Sequence, residues 1–116
     1  MRPVLHTDIT AVAKTLLSIP ENLRAERFYR MLVQAEAADA YRKRFGRWHP
    51  VWGNGSLLAA AAPATAGAEP FLDDPEYCGC LAMIFEALVQ WRCEKAHLNR
   101  KHKTDRGELS DPAPIA

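Results

Sequence analysis

No run of this chain approaches the roughly 18 to 20 consecutive apolar residues that a helix needs to span a bilayer, so no membrane segment is expected. The stretch from Met1 to Asp8 holds no apolar run of signal-peptide length, which makes the cytoplasm the expected compartment. Charge of one sign is also missing. The 15 Lys and Arg residues against 14 Asp and Glu leave a formal charge of +1, so no overall field draws the chain onto nucleic acid or an anionic surface. Cysteine is scarce and odd in number: Cys78, Cys80 and Cys93 do not suit a disulfide framework and do suit free thiols in a reducing compartment. Asn54-Gly55-Ser56 matches a glycosylation acceptor, but without an export signal it reads as a turn. The sequence has no strand-like alternation and no internal repeat. It also lacks a Gly-rich phosphate loop, a His-Glu-x-x-His pair and a nucleophile elbow. An enzyme is therefore not expected, nor a cofactor, nor a metal.

What is present is helical periodicity. At 116 residues and 48% hydrophobic content, the chain suits a single helical domain over residues 1–106 with a flexible tail over 107–116. Thr7 or Asp8 can cap a first short helix whose apolar face is Ile9, Val12, Ala13, Leu16 and Leu17, stopped by Pro20. A second helix opens at Pro20-Glu21, carries Leu23, Phe28, Met31, Leu32, Ala35, Ala38 and Phe45 at helical spacing, and stops at Gly46. Its pairs Glu26 to Arg30 and Asp39 to Lys43 are spaced i to i+4 with the acid first, which predicts a solvated face. A short third helix starts at Gly55 or Ser56 and runs through Leu57, Leu58 and the alanines to Ala62. Pro63 to Pro70 reads as an exposed loop, and Asp73-Asp74-Pro75-Glu76 as the start of a fourth helix. In that helix Tyr77, Leu81, Ile84, Leu88 and Trp91 fall at alternating gaps of four and three.

Between the second and third helices lies the densest feature, Trp48-His49-Pro50-Val51-Trp52-Gly53-Asn54-Gly55. Two tryptophans there can bury a large area, while Pro50 and the glycines set the backbone, so an ordered joint is expected rather than a loose loop. Trp48, His49, Trp52, Phe71 and Tyr77 form the candidate interaction surface, because a domain this small can leave aromatic anchors uncovered.

Other constellations have simpler readings. Cys78, Cys80, Cys93 and His97 are zinc-ligand types, but along one helix the span from Cys78 to Cys93 is about 22 Å, beyond a shared coordination sphere unless the helix breaks at Gly79. Cys93 and His97 could touch at i to i+4 but have no orienting third group. His49 is read as pinning the joint, Asp73 and Asp74 as a helix cap, and Glu86 as a solvated position. The basic groups Arg42, Lys43, Arg44 and Arg47, and Lys95, Arg100, Lys101 and Lys103, sit near helix carboxyl ends, where the dipole alone favours cations.

The segments Trp48-His49-Pro50-x-Trp52-Gly53-Asn54-Gly55-Ser56-Leu57, Glu69-Pro70-x-Leu72-Asp73-Asp74 and Tyr77-x-x-Cys80-Leu81-Ala82 resemble a family of short uncharacterised all-helical proteins of marine-type alphaproteobacteria. The resemblance extends to about Arg92 and implies a bacterial cytoplasmic setting, with no activity attached. The expected fold is all-α: a four-helix array or bundle with two long helices as the packing pair and two short ones over their ends. The expected function is that of a small non-enzymatic adaptor or regulatory protein that binds another protein or a second copy of itself. The alternative is a nucleic-acid-associated accessory protein using the two basic groups.

Overall fold

A computed structural model describes residues 1–61 and 69–110, with side chains as far as residue 98. Four helices follow in order: α1 (His6–Leu17), α2 (Glu21–Phe45), α3 (Leu57–Ala61) and α4 (Pro75–Ser110). No strand occurs among the described residues, so the fold is an all-α array of two long and two short helices. The chain forms two compact units, Met1–Phe85 and Glu86–Ala116.

In the first unit α1, α2 and α3 pack on one another in all three pairings. The sequence predicts that α3 only covers an end, yet it sits against both other helices and buries Leu57 and Ala61. α2 contributes Phe28, Met31, Leu32, Ala35 and Ala38, and α1 contributes Ile9, Val12, Ala13 and Leu16. Each fully buried Leu, Ile, Val or Phe adds about 1.5–3 kcal/mol, which is what holds so short an α3 in place. Leu58 and Phe85, apolar residues that the sequence offers as core candidates in α3 and α4, are exposed, at 43% and 49%. Each follows a fully buried neighbour, Leu57 or Ile84, and successive helical residues point about 100° apart, so one apolar residue of the pair must face outward.

The buried stripe of α2 ends in a charge on both sides, Arg24 before Phe28 and Asp39 after Ala38. Leu23, expected in the core, is 42% exposed because the stripe steps back four residues from Phe28, onto Arg24. Arg24 Nε donates to the carbonyls of Leu16 and Ile19 at 2.8 and 2.9 Å, and Nη2 donates to Glu76 Oε1 at 2.7 Å. The guanidinium thus binds carbonyls at and just beyond the end of α1, favoured there by the helix dipole, and ties the start of α4 to α2. The bond to Glu76 raises the Arg24 pKa further above its ordinary value.

Asp8 joins α1 to α3 in the same way. Buried at 3% exposure, it accepts the Leu5 amide through Oδ2 at 2.7 Å and the Leu58 amide through Oδ1 at 3.1 Å. The sequence suggests Thr7 or Asp8 as the cap of α1; instead Leu5 occupies that position and Asp8, three residues on, reaches back to its amide.

α4 begins where its acids and proline predict, with Asp74 Oδ1 accepting the Glu76 and Tyr77 amides. In the first unit it buries Tyr77, Cys80 and Ile84. In the second unit Lys95 Nζ lies 4.9 Å from the centre of the Trp91 ring. The helix takes in residues 107–110, which were expected in the tail; 111–116 lie outside the described residues, as do 62–68 of the expected helix end and loop.

Gly79 does not break α4, and a Cβ added there meets nothing within 4 Å. Gly79→Ala is therefore expected to stabilise the protein by about 0.5–1 kcal/mol through helix propensity. Thermal unfolding checks this: a lowered Tm would mean that the helix is not continuous at this point.

Candidate interaction surface

α2 stops at Gly46, whose φ of 69° lets its amide turn back to the Arg42 carbonyl at 2.8 Å. The chain then folds on itself. His49 and Gly53 exchange two backbone hydrogen bonds, 3.0 and 3.1 Å long, closing a tight knot around Pro50, Val51 and Trp52. The His49 side chain fastens the knot from inside: Nδ1 accepts the amides of Val51 and Trp52 at 3.1 and 3.0 Å. With Nδ1 as acceptor, the neutral ring carries its proton on Nε2. The imidazole stacks on Trp52, centroids 4.7 Å apart and planes 9° apart, and meets the edge of Tyr41 at 5.0 Å. Tyr41 in turn touches Phe45 at 4.6 Å. Four rings in series thus connect the last turns of α2 to the knot.

A second set of contacts clamps the knot to the body. Gly55 runs so close to α2 that a Cβ on it would lie 2.7 Å from Asp39 Cα. The Gly55 carbonyl accepts the Arg2 amide at 2.9 Å, Asn54 Oδ1 accepts the Ser56 amide, and Ser56 Oγ caps α3 by accepting the Ala59 amide. Beneath lies Asp39, its side chain 4% exposed, paired with Arg42 Nη2 at 2.8 Å, Lys43 Nζ at 3.2 Å and the Met1 ammonium at 3.3 Å. Burial works against the charge on Asp39, but the hydrogen bonds from Arg42, Lys43 and the terminal ammonium outweigh it and bring its pKa down to about 2. The Glu26–Arg30 pair forms on the surface as expected, whereas Asp39 is not on a solvated face.

With its inner residues spent on fastening, the knot turns apolar side chains outward. Trp48 is 66% exposed and Val51 78%, next to Phe45 at the helix end. The expected surface residues therefore part company. Trp48 is an outward anchor, and His49 and Trp52 are half-buried supports. Phe71 is exposed, but on the segment before α4 and not on the knot. Tyr77 does not belong to a surface at all: it is fully buried, its hydroxyl donates to Glu69 Oε1 at 2.9 Å, and burial followed by that bond pushes its pKa up to about 12. Asp39, Gly55 and Val51, which complete the site, are not among the surface candidates that the sequence offers. The available signal for Asp39 was its place beside Ala38 on the apolar stripe.

Removal of the His49 side chain tests whether it is a fastening. His49→Ala removes an acceptor for two amides and a stacked ring, so a loss of about 1–3 kcal/mol is expected in urea unfolding. A change below a few tenths of a kcal/mol would show that the knot is held without it.

Elsewhere, a groove of about 530 Å³ lies between Glu21 and Arg24 of α2 and Glu76, Cys80 and Met83 of α4. Burial pushes the Cys80 thiol up in pKa, which keeps it protonated and weakly nucleophilic. Cys78 and Cys93 are exposed free thiols, and no cluster of metal-ligand side chains occurs among the described residues. Of the basic residues, Arg42 and Lys43 are engaged by Asp39, and Arg44 stands 5.4 Å from the centre of the Phe45 ring. The side chains of Arg100, Lys101 and Lys103 lie outside the described residues.

A family model described as a domain of unknown function, DUF7742, matches residues 2–88. The chain belongs to the DUF7742 family. The matched span takes in α1 to α3, the knot and α4 as far as Leu88. No curated protein and no solved structure matches the chain.

Proposed function

We propose that this protein is a small non-enzymatic adaptor or regulatory protein that binds another protein, or a second copy of itself, through the knot. The observation that carries this reading is the pairing of rigidity with exposure. Trp48 and Val51 stand in solvent on a loop whose every turn is fastened, by the His49 acceptor, the His49–Gly53 bonds and the approach of Gly55 to α2. Apolar side chains held in solvent on a rigid support lose little entropy on docking, which is the property of an interface anchor. The bacterial and cytoplasmic setting belongs to the same proposal. It rests on the sequence resemblance and the odd cysteine count, and no helix among the described residues is long and apolar enough to cross a membrane.

The alternative, association with nucleic acid through the basic helix ends, has less support. Two of the cations that it would use, Arg42 and Lys43, are already committed to Asp39.

Photo-crosslinking tests the reading. A benzophenone side chain at Val51 is expected to trap a protein that the same group at the exposed Asn22 does not trap. That protein, once purified, should bind the wild-type chain about tenfold or more tightly than Trp48→Ala. Identical products from both positions, or rebinding that ignores Trp48→Ala, would overturn the reading.

A further inference from the structure

We infer that the partner is acidic: the knot takes a protein segment that carries carboxylates beside its apolar anchors. This deepens the protein-binding reading above and rests on it. The observation behind it is how charge is distributed. From Ala40 to Ala68 the sequence holds Arg42, Lys43, Arg44 and Arg47 and no Asp or Glu, in a chain whose formal charge is only +1. Positive charge is therefore gathered into the stretch that builds the knot, and the remainder of the sequence is net acidic.

Structure sorts these four cations into two kinds. Arg42 and Lys43 are paired with the buried Asp39 and are part of the scaffold. Arg44 and Arg47 are exposed, and neither pairs with a carboxylate among the described residues. They bracket Phe45 and precede Trp48 along the chain, which sets two exposed guanidiniums with no carboxylate partner among the described residues beside these outward apolar residues in sequence. Arg44 lies over the Phe45 ring, an arrangement in which an arginine keeps its in-plane N–H edge for a bidentate carboxylate. A basic partner would meet repulsion there, and a purely apolar one would strand two charges at the edge of a dry contact. An acidic amphipathic segment satisfies both parts: its apolar side chains cover Phe45, Trp48 and Val51, and its carboxylates take Arg44 and Arg47.

Three probes test this on the full chain by fluorescence anisotropy. They are an amphipathic peptide of Glu, Leu and Phe, the same peptide with Lys in place of Glu, and an oligothymidylate of matching charge. The acidic peptide is expected to bind about tenfold or more tightly than the basic one and to weaken severalfold between about 50 and 300 mM salt. The double change Arg44→Glu with Arg47→Glu should invert the peptide preference, while Arg27→Glu with Arg30→Glu, an equal charge change elsewhere on α2, should not. Both sets of side chains are exposed, and an unchanged Tm shows that the variants are folded. If the two peptides bind equally, and both are lost in Trp48→Ala, the acidic partner is wrong and the protein-binding reading survives. Oligothymidylate binding tighter than the acidic peptide, lost in the Arg44/Arg47 variant, overturns both. Failure of the acidic peptide at millimolar concentration, with a mass that rises with protein concentration and is normal in Trp48→Ala, assigns the knot to a second copy and overturns the acidic partner alone.

Discussion

Gly55→Ala is expected to destabilise the protein by about 3 kcal/mol or more, enough to threaten folding of a domain whose whole stability is about 5–15 kcal/mol. Two costs combine. The φ of 91° at Gly55 is one that a residue with a Cβ enters at a cost of about 1–3 kcal/mol. The new Cβ would also lie 2.7 Å from both Cα and Cβ of Asp39 and 3.0 Å from its nitrogen, atoms fixed in the middle of α2 that cannot swing aside. Gly46→Ala separates the two costs, since Gly46 has a φ of 69° but a Cβ there meets nothing within 4 Å. Its expected loss is about 1 kcal/mol, the conformational part alone. Equal losses for the two variants in urea unfolding would mean that the knot does not lie against α2 as described.

Asp39→Asn should cost about 2–3 kcal/mol at neutral pH, and the loss should depend on pH in a definite sense. The carboxyl has an ordinary value of 3.8 and is held at about 2 in the folded protein. The unfolded chain therefore takes up its proton first as pH falls, and the stabilisation is complete above about pH 5. It is lost progressively from there toward pH 2, a total on the order of 2 kcal/mol. Asparagine, of the same shape, cannot titrate. Stability curves of wild type and variant should lie furthest apart near neutrality and converge in acid, leaving only the hydrogen-bonding difference. A gap that stays constant from pH 7 to about 2.5 would show that the carboxylate charge is not what Arg42, Lys43 and the terminal ammonium stabilise. Because Asp39 touches Gly55, the two variants are not expected to add.

The helices were legible because their determinants are local. Phe28, Met31, Leu32, Ala35 and Ala38 recur at helical spacing, and all are buried on one face of α2. Gly46 and Asp74 mark ends where the sequence places them, through a left-handed φ and a carboxylate cap. The joint, too, could be read as ordered from its tryptophans, proline and glycines, since those residues restrict or release φ wherever they stand.

The charged residues show where such reading stops. Asp39 and Lys43 have the spacing of a surface pair, and they do bond at 3.2 Å, yet Asp39 lies inside. The i to i+4 pairing alone does not distinguish it from Glu26, whose pair with Arg30 is exposed. The difference comes from Met1 and Gly55, which α2 meets only after folding. Arg24 is the same case at the other end of the stripe, buried because the carbonyls of α1 and the carboxylate of Glu76 converge on it. Tyr77 is the converse: an aromatic expected outside, enclosed once Glu69 supplies an acceptor for its hydroxyl. Spacing along the chain decided that four helices form, and where α2 stops and α4 starts, because hydrogen bonding within a turn and the limits on φ act over a few residues. Only the tertiary structure decided which of two adjacent apolar residues goes inward, which charges are buried, and that Trp48 and Val51 are left outside, because burial depends on atoms that are distant in sequence and near in space.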